Sequence, residues 1–403
     1  MSAIEADTAK PSPRSAPIQH YAWVILGVVY LASVAAPLIQ NKVPPIMPVI
    51  MEAFQINLGQ AGLLMSVFAV TGFLLALPAG ILLQVWRFKA TGLVALGFMV
   101  IGSLIGVAAG TVSMLLFSRV VEGVGMGLIA VVAPAAIAGW FPRERQGMPM
   151  GIWATWVPVG SLLMYLLGPA MVSARGWQAV WWFGAIFALA AFGLYALLMR
   201  EPPASAQVKP KAERVNLRQT LANRDIWLLG LAFACFNAVF LGLATFYPTY
   251  LAETQGYSLG TAALVASIGT IVVLFSAPLA GVLSDRIGSR RLVFSIPFLA
   301  FALLFVFPFH VSGWQIYVFM ILLGLVAGAV PTATFAAAPE IMGKPESAAL
   351  GLAVVIMCQN LGMFVGPMLF GVLAQSIGWA VAGYAMIPIA LAGFVFAWRV
   401  RVR

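Results

Sequence analysis

Apolar residues in this chain come in long runs, and polar residues are confined to short breaks between them. Twelve runs are long enough to cross a bilayer as helices, which takes about 20 residues each. They lie at 21–50, 57–83, 90–109, 112–140, 147–173, 177–199, 226–251, 258–284, 290–309, 313–338, 347–375 and 379–398. One break is much longer than the others, at 200–225, and it contains Pro202, Pro203, Lys209, Pro210, Lys211 and Arg214. Six runs stand on each side of it. The pattern therefore predicts an N-terminal tail (1–20), a six-helix bundle (21–199), a linker (200–225), a second six-helix bundle (226–398) and a short C-terminal tail (399–403).

The two bundles repeat one another. Gly80 and Gly281 are 201 positions apart, as are Leu82 and Leu283, Gly123 and Gly324, and Gly127 and Gly328; Gly176-Trp177 recurs as Gly378-Trp379 with the offset slipped to 202. A duplicated, intensely apolar chain points to an all-α membrane protein of twelve transmembrane helices in two pseudo-symmetric six-helix bundles. In such a machine a solute binds between the halves, and the halves rock about it by alternating access.

Composition excludes a water-soluble domain. Hydrophobic residues make up 62% of the chain and charged residues 8%, against about a quarter charged in soluble domains. The 39 Gly and 25 Pro are a load that membrane helices tolerate, because neighbours re-satisfy the freed backbone groups. Cys235 and Cys358 both lie in apolar stretches, which argues against a disulfide framework. His20 and His310 have no metal-ligand partner at useful spacing, so neither a metal nor another cofactor is expected.

The net charge of +10 is explained by topology rather than by nucleic acid. With the N-terminus placed in the cytoplasm, nineteen of the 22 Lys and Arg fall in the tails, the linker or the loops on that side. Arg175 alone falls in an external loop, and Lys42 and Arg119 lie inside predicted spans. The N-terminal tail lacks an apolar core with a small-residue cleavage site, so it reads as a cytoplasmic tail and not a signal peptide. The expected setting is a bacterial inner membrane with both termini cytoplasmic, and the expected state is a monomer in the lipid bilayer.

The loop after the eighth run reads Gly281, Asp285, Arg286, Gly288, Arg290 and Arg291. This is the pattern G-x-x-x-D-R-x-G-x-R-R, and with it the chain resembles the major facilitator superfamily from about Tyr21 to Trp398. The resemblance implies a secondary transporter in which these residues latch the halves on the cytoplasmic side. The first copy of the signature keeps only Gly80 and Lys89; Gln84, Val85 and Arg87 replace Asp, Arg and Gly. A second family signature, R-x-x-x-G in helix 4, fits Arg119 and Gly123. The antiporter signature of helix 5 is not matched beyond Gly168-Pro169. The stretch from Gln40 through Pro48 to Phe54 and Gln60 is similar to the organic and inorganic anion carriers of the superfamily, whose helix 1 has a cation at Gln40's place. Here the cation stands two residues on, at Lys42.

Charges inside spans are the sharpest functional candidates. A Lys in a membrane helix costs about 2.5–3.5 kcal/mol on insertion scales, so Lys42 needs compensation. It is read either as a substrate-binding cation in the cavity or as a side chain that snorkels to the interface. Arg119 can hold an oxyanion through two parallel hydrogen bonds, or it can lock helix packing. Glu122 follows at i+3 on the same helical face. It is either a coupling site that releases Arg119 when protonated or a permanent structural partner. Lys42 has no partner evident in the sequence, and the buried excess of one positive charge favours an anionic solute. At the repeat offset Met320 and Leu323 replace Arg119 and Glu122. The C-terminal half supplies neutral polar groups instead: Asn237, Thr332, Thr334, Gln359 and Asn360. Tyr30, Tyr165, Trp153 and Trp156 are pocket walls or packing residues, and Trp177, Trp181, Trp182, Trp379 and Trp398 read as interface-belt residues.

The function expected is a secondary carrier of a small anionic solute, with substrate contacts from Lys42, Arg119, Asn237, Gln359, Asn360, Tyr30 and Trp156. Protons or a counter-anion are candidate coupling partners. The rival is a proton-coupled exporter of hydrophobic or cationic drugs, which calls for an acidic or wholly apolar cavity. A membrane enzyme is disfavoured: no paired catalytic carboxylates, His cluster or Gly-rich phosphate loop is visible.

Overall fold

A computed structural model describes residues 20–85, 87–142, 145–202, 221–287, 289–343 and 345–401. They form fifteen α-helices and one 3-10 turn. In the first half these are α1 (His20–Gln40), the turn Pro44–Ile46, α2 (Met47–Phe54), α3 (Leu58–Val85), α4 (Phe88–Val107), α5 (Val112–Trp140), α6 (Gly147–Ala154), α7 (Trp156–Arg175) and α8 (Gln178–Leu198). In the second they are α9 (Arg224–Glu253), α10 (Leu259–Ile287), α11 (Arg290–Leu304), α12 (Trp314–Ala327), α13 (Ala329–Met342), α14 (Pro345–Ile377) and α15 (Trp379–Arg399).

Eleven segments among the described residues are long and apolar enough to cross a membrane. The ninth predicted run is shorter than expected. The run 290–309 is helical only over α11, 15 residues or about 22 Å, against roughly 30 Å of hydrocarbon. The chain turns at Phe305, and Pro308 follows within one turn, where it disfavours a helical Phe307 and supplies no N–H.

Three predicted spans are interrupted. The first runs from His20 to Phe54 but stops at Gln40, because Pro44 and Pro45 cannot donate to the carbonyls four residues back. The fifth breaks at Thr155, between α6 and α7, and the tenth breaks at Gly328, between α12 and α13. Discontinuous helices near a central site are a recurring feature of transporters, where irregular backbone lines a cavity.

Small residues set how closely the halves approach. A Cβ on Gly62 (α3) would sit 2.5 Å from the Pro367 carbonyl oxygen on α14, and one on Gly371 (α14) would sit 2.7 Å from Phe246 Cζ and closer still to the Leu58 carbonyl oxygen. Close backbone approach through Gly is the usual way helices associate in lipid, where no hydrophobic drive exists between them. The halves also meet where α7 packs on α10, and where the Pro44–Ile46 turn touches α9 and α10.

Three cross-half hydrogen bonds are found among the described residues. Leu58 N donates to Gln375 Oε1 at 3.1 Å, Met368 N to Ser66 Oγ at 3.1 Å, and Tyr165 Oη to the Ala244 carbonyl at 3.1 Å. All three lie toward the end of the bundle that carries α2, and α5 and α13 are not in broad contact. The molecule is therefore closed at the α2 end.

Candidate functional site

The break in the first span creates the centre of the N-terminal half. In an unbroken helix the Gln40 carbonyl would accept from residue 44, but Pro44 has no N–H. Arg119 fills the vacancy: its Nη2 donates to the Gln40 carbonyl at 2.7 Å, its Nη1 to the Ile39 carbonyl at 2.8 Å, and its Nε to the Leu64 carbonyl of α3 at 3.1 Å. The guanidinium lies over the Phe68 ring, 4.6 Å from its centroid. One side chain of α5 thus staples α1 and α3 together.

Glu122 completes the cluster one turn on. Its Oε2 accepts from Arg119 Nη1 at 2.7 Å, and its Oε1 accepts from Lys42 Nζ at 2.5 Å and from Ser103 Oγ of α4 at 2.8 Å. Lys42 Nζ also reaches Ser103 Oγ at 3.2 Å and lies 4.8 Å from the Trp181 ring centroid on α8. Lys42, Arg119 and Glu122 are each 0% exposed. Both carboxylate oxygens and three guanidinium nitrogens are engaged, as burial in low dielectric demands.

Glycines make the room. A Cβ on Gly102 of α4 would sit 2.6 Å from Glu122 Cγ, one on Gly125 would sit 2.5 Å from the Ala95 carbonyl oxygen, and one on Gly106 would strike the Trp181 indole. Gly123 lies against Thr71 and the Phe68 carbonyl of α3 in the same way. The helix-4 signature Arg119…Gly123 is therefore one construction: the arginine bonds the neighbouring backbones that the glycine lets approach.

This geometry corrects two expectations. Lys42 does not lack a partner, and it neither snorkels to an interface nor stands free: it shares Glu122 with Arg119. Trp177 and Trp181 are not belt residues. Trp181 is fully buried beneath Lys42, and Trp177 is buried between Trp181 and Phe54 at the end of α2. Sequence reasoning passes over Ser103 and Phe68 and misplaces Trp181, because none of the three carries a charge. Their one signal was the small-residue run Gly102-Ser103 with Gly106 on α4.

The other candidates lie apart from this cluster, with Asn360 and Tyr165 set against the opposite half. Tyr30 is half-buried and its hydroxyl is 2.8 Å from Thr155 Oγ1, at the break between α6 and α7. Trp153 and Trp156 stack across that break at 5.5 Å, and Trp153 Nε1 donates to Ser33 Oγ at 3.0 Å. Asn237 and Asn360 each donate Nδ2 to the carbonyl one turn back, at 2.8 and 2.9 Å, which turns each Oδ1 outward as an acceptor. Asn360 Oδ1 abuts Gly72 of α3 in the opposite half. Gln359 is half-buried on α14. Thr334 bonds the Val330 carbonyl of its own helix, whereas Thr332 Oγ1 bonds the Gly328 carbonyl at 2.9 Å and also reaches the Ala277 carbonyl of α10 at 3.3 Å. An aromatic ladder that the sequence reading missed runs along α9, where Phe233, Phe236 and Phe240 stack at 5.9 and 5.6 Å.

The loop-signature residues gather at the other end of the bundle. Gly80 lies in α3 and Gly281 in α10. The Lys89 backbone N–H donates to Glu201 Oε1 at 3.0 Å. Arg286 is exposed, and Arg291 lies 4.2 Å over the Trp398 ring. Asp285 and Arg290 belong to α10 and α11, but their side chains lie outside the described part of the structure, and Gly288 lies outside the described residues altogether. His20 and His310 are joined by no metal-ligating set: no group of three or more His, Cys, Asp or Glu is found among the described residues.

Comparison with known proteins agrees with this architecture. Residues 29–280 and 258–403 match the model of the Major Facilitator Superfamily. "Multidrug resistance protein MdtG" of Citrobacter koseri is 24% identical over 319 residues, 75% of each chain. "Probable sulfoacetate transporter SauU" of Cupriavidus necator is 24% identical over 282 residues, 66% of each chain. "Probable nitrate transporter NarT" of Staphylococcus haemolyticus is 23% identical over 361 residues, 86% of this chain and 88% of that one. A crystal structure of a bacterial homologue of the human lysosomal transporter Spinster, inward-facing and occupied, superposes with a TM-score of 0.80 at 18% identity, covering 94% of this chain and 97% of that one. Its likeness is one of fold. The duplicated helical bundle, the arginine–glycine construction of helix 4 and the family match over nearly the whole chain make this protein an integral membrane transport protein that belongs to the Major Facilitator Superfamily.

Proposed function

We propose that the chain is a secondary carrier of a small organic or inorganic anion. The observation that carries this reading is the charge balance of the buried cluster. Lys42 and Arg119 contribute two positive charges and Glu122 one negative, and all three are sealed from water. Among the described residues Glu122 is the only carboxylate set more than one turn inside a helix. A solute between the halves therefore feels a net positive field and meets no acid of its own. At one helix spacing, about 10 Å, a single uncompensated charge is worth roughly 1.7 kcal/mol at an effective dielectric of 20. That favours an anion over a cation by far more than thermal energy.

In this reading Lys42 and Arg119 act on the solute through their field, and the contacts come from Tyr30, Trp156, Asn237, Gln359 and Asn360. Arg119 and Glu122 are the coupling pair, with protons or a counter-anion as the coupled species. Two relatives are named as a probable nitrate transporter and a probable sulfoacetate transporter, both names of anions, which supports the assignment. Asp285, Arg286, Gly288, Arg290 and Arg291, with Gly80 and Lys89, form the latch that closes the second state. The lysine- and arginine-rich loops face the cytoplasm, so the state closed at the α2 end opens inward.

A second reading, an exporter of lipophilic or cationic drugs, rests on the Trp153–Trp156 stack and the α9 phenylalanine ladder, which suit a lipophilic solute, and on a relative named for multidrug resistance. Thermal melting of the purified protein separates the two. Carboxylates, sulfonates and nitrate should raise the melting temperature in a saturable way, and lipophilic cations should not. Stabilisation by lipophilic cations alone would overturn the anion assignment.

A further inference from the structure

On the flank of the molecule where the two halves meet, α7 and α10 enclose a groove of about 430 Å³, within the size range of small-molecule sites. Its inner wall is the seam itself, where Tyr165, Ala263 and Ala266 pack together out of solvent. One residue further round each helix, Leu166 and Leu264 are 44% and 50% exposed, so the groove opens sideways, toward lipid.

The groove is graded along the bilayer normal. Leu166, Pro169 and Ser173 follow one another on one face of α7, and the antiparallel α10 supplies Leu264, then Gly260, with Ser258 just before its first residue. Both leucines lie at the deep end and both serines at the outer end, a polarity step about 10 Å long by helix rise. Arg175, the last residue of α7, stands one turn beyond groove residue Val172 on the same helical face. It is exposed, and it is the one cation the sequence places in a loop at this end of the molecule. An apolar slot that ends in hydroxyls and then a guanidinium complements an acyl chain joined to a phosphate.

We propose that this groove holds one anionic phospholipid, its acyl chain along Leu166, Pro169 and Leu264 and its phosphate at Arg175. The lipid touches both halves on the closed side of the molecule, so it acts as a wedge filler: bound, it favours the closed seam, and it must leave or shift when the halves rock apart. This is a site separate from that of the transported solute.

Gly260 offers a test, since it lines the groove and a Cβ added there meets nothing within 4 Å, so a bulky side chain can be started there without a backbone clash. Native mass spectrometry is run on delipidated full-length protein in detergent, with phosphatidylglycerol or phosphatidylcholine added. The wild type should retain one phosphatidylglycerol in a saturable first step, about tenfold more tightly than phosphatidylcholine. Gly260→Trp should lose that step while keeping its circular dichroism and melting temperature. Arg175→Gln should bind both lipids equally. Should Gly260→Trp fold poorly, Ser173→Trp, at an exposed position of the same groove, replaces it with the same expected loss. A first binding step that survives groove filling, or a wild type without headgroup preference, would overturn the proposal.

Discussion

The Tyr165 hydroxyl donates to the backbone carbonyl of Ala244 across the interface of the two halves, at 3.1 Å. The acceptor is free because Pro248, four residues on, has no N–H to give it. The same logic joins Arg119 to Gln40 through Pro44. In both places a proline opens a carbonyl on one helix and a polar side chain from a distant helix takes it, which ties packing to the irregular backbone that a moving bundle needs.

Tyr165→Phe removes the donor and leaves the ring in place. A hydrogen bond between membrane helices is worth about 0.6 kcal/mol on average, so the closed state should lose roughly threefold in population relative to its alternative. Spin-label distances across α7 and α10 report this directly. An unchanged distance distribution would show that the bond does not contribute to closure.

Glycines at the seam should matter more. Gly62→Val and Gly371→Val place branched side chains against carbonyl oxygens of the opposite half, a clash that no rotamer relieves. Each should push the population toward the state open at the α2 end by well over tenfold. Accessibility of a cysteine introduced at position 66 to a water-soluble reagent is the readout, and it should rise sharply in both variants.

The buried cluster sets the stability of the N-terminal half. Glu122→Gln leaves Lys42 and Arg119 side by side without their carboxylate, and breaking a buried pair costs about 3–5 kcal/mol. Arg119→Ala also orphans the carbonyls of Ile39, Gln40 and Leu64, so it should be the most damaging single change. Lys42→Met leaves Glu122 paired with Arg119 and Ser103, and should cost least. Melting temperatures in detergent should fall least in Lys42→Met, further in Glu122→Gln and furthest in Arg119→Ala. If Lys42→Met proved the worst of the three, the shared-carboxylate account would be wrong.

Orientation and latch have their own tests. A cysteine at position 175 should react with an impermeant reagent from outside the cell, and one at position 209 should not; the reverse would invert the topology. Asp285→Asn should slow transport more than Gln84→Ala, because the second signature copy is intact and the first is degraded. Equal effects would mean that the degraded copy still latches.

Periodicity and composition determined the membrane setting and the duplicated bundle, because a hydrocarbon solvent imposes span length and internal backbone bonding on any chain that crosses it. Charge burial marked Lys42, Arg119 and Glu122, since an ion inside a span is too costly to be incidental. What those ions touch was decided by the tertiary structure alone. Arg119 and Glu122 are neighbours in sequence, but Lys42 reaches Glu122 across 80 positions, and Ser103, Phe68 and Trp181 join from three further helices without any sequence mark of their own. The short eleventh helix and the breaks at Gln40, Thr155 and Gly328 also needed the structure, although a proline stands three or four residues after each (Pro308, Pro44, Pro158 and Pro331). A proline says where a helix can fail. Which donor then takes the freed carbonyl depends on long-range packing, and local sequence carries no information about it.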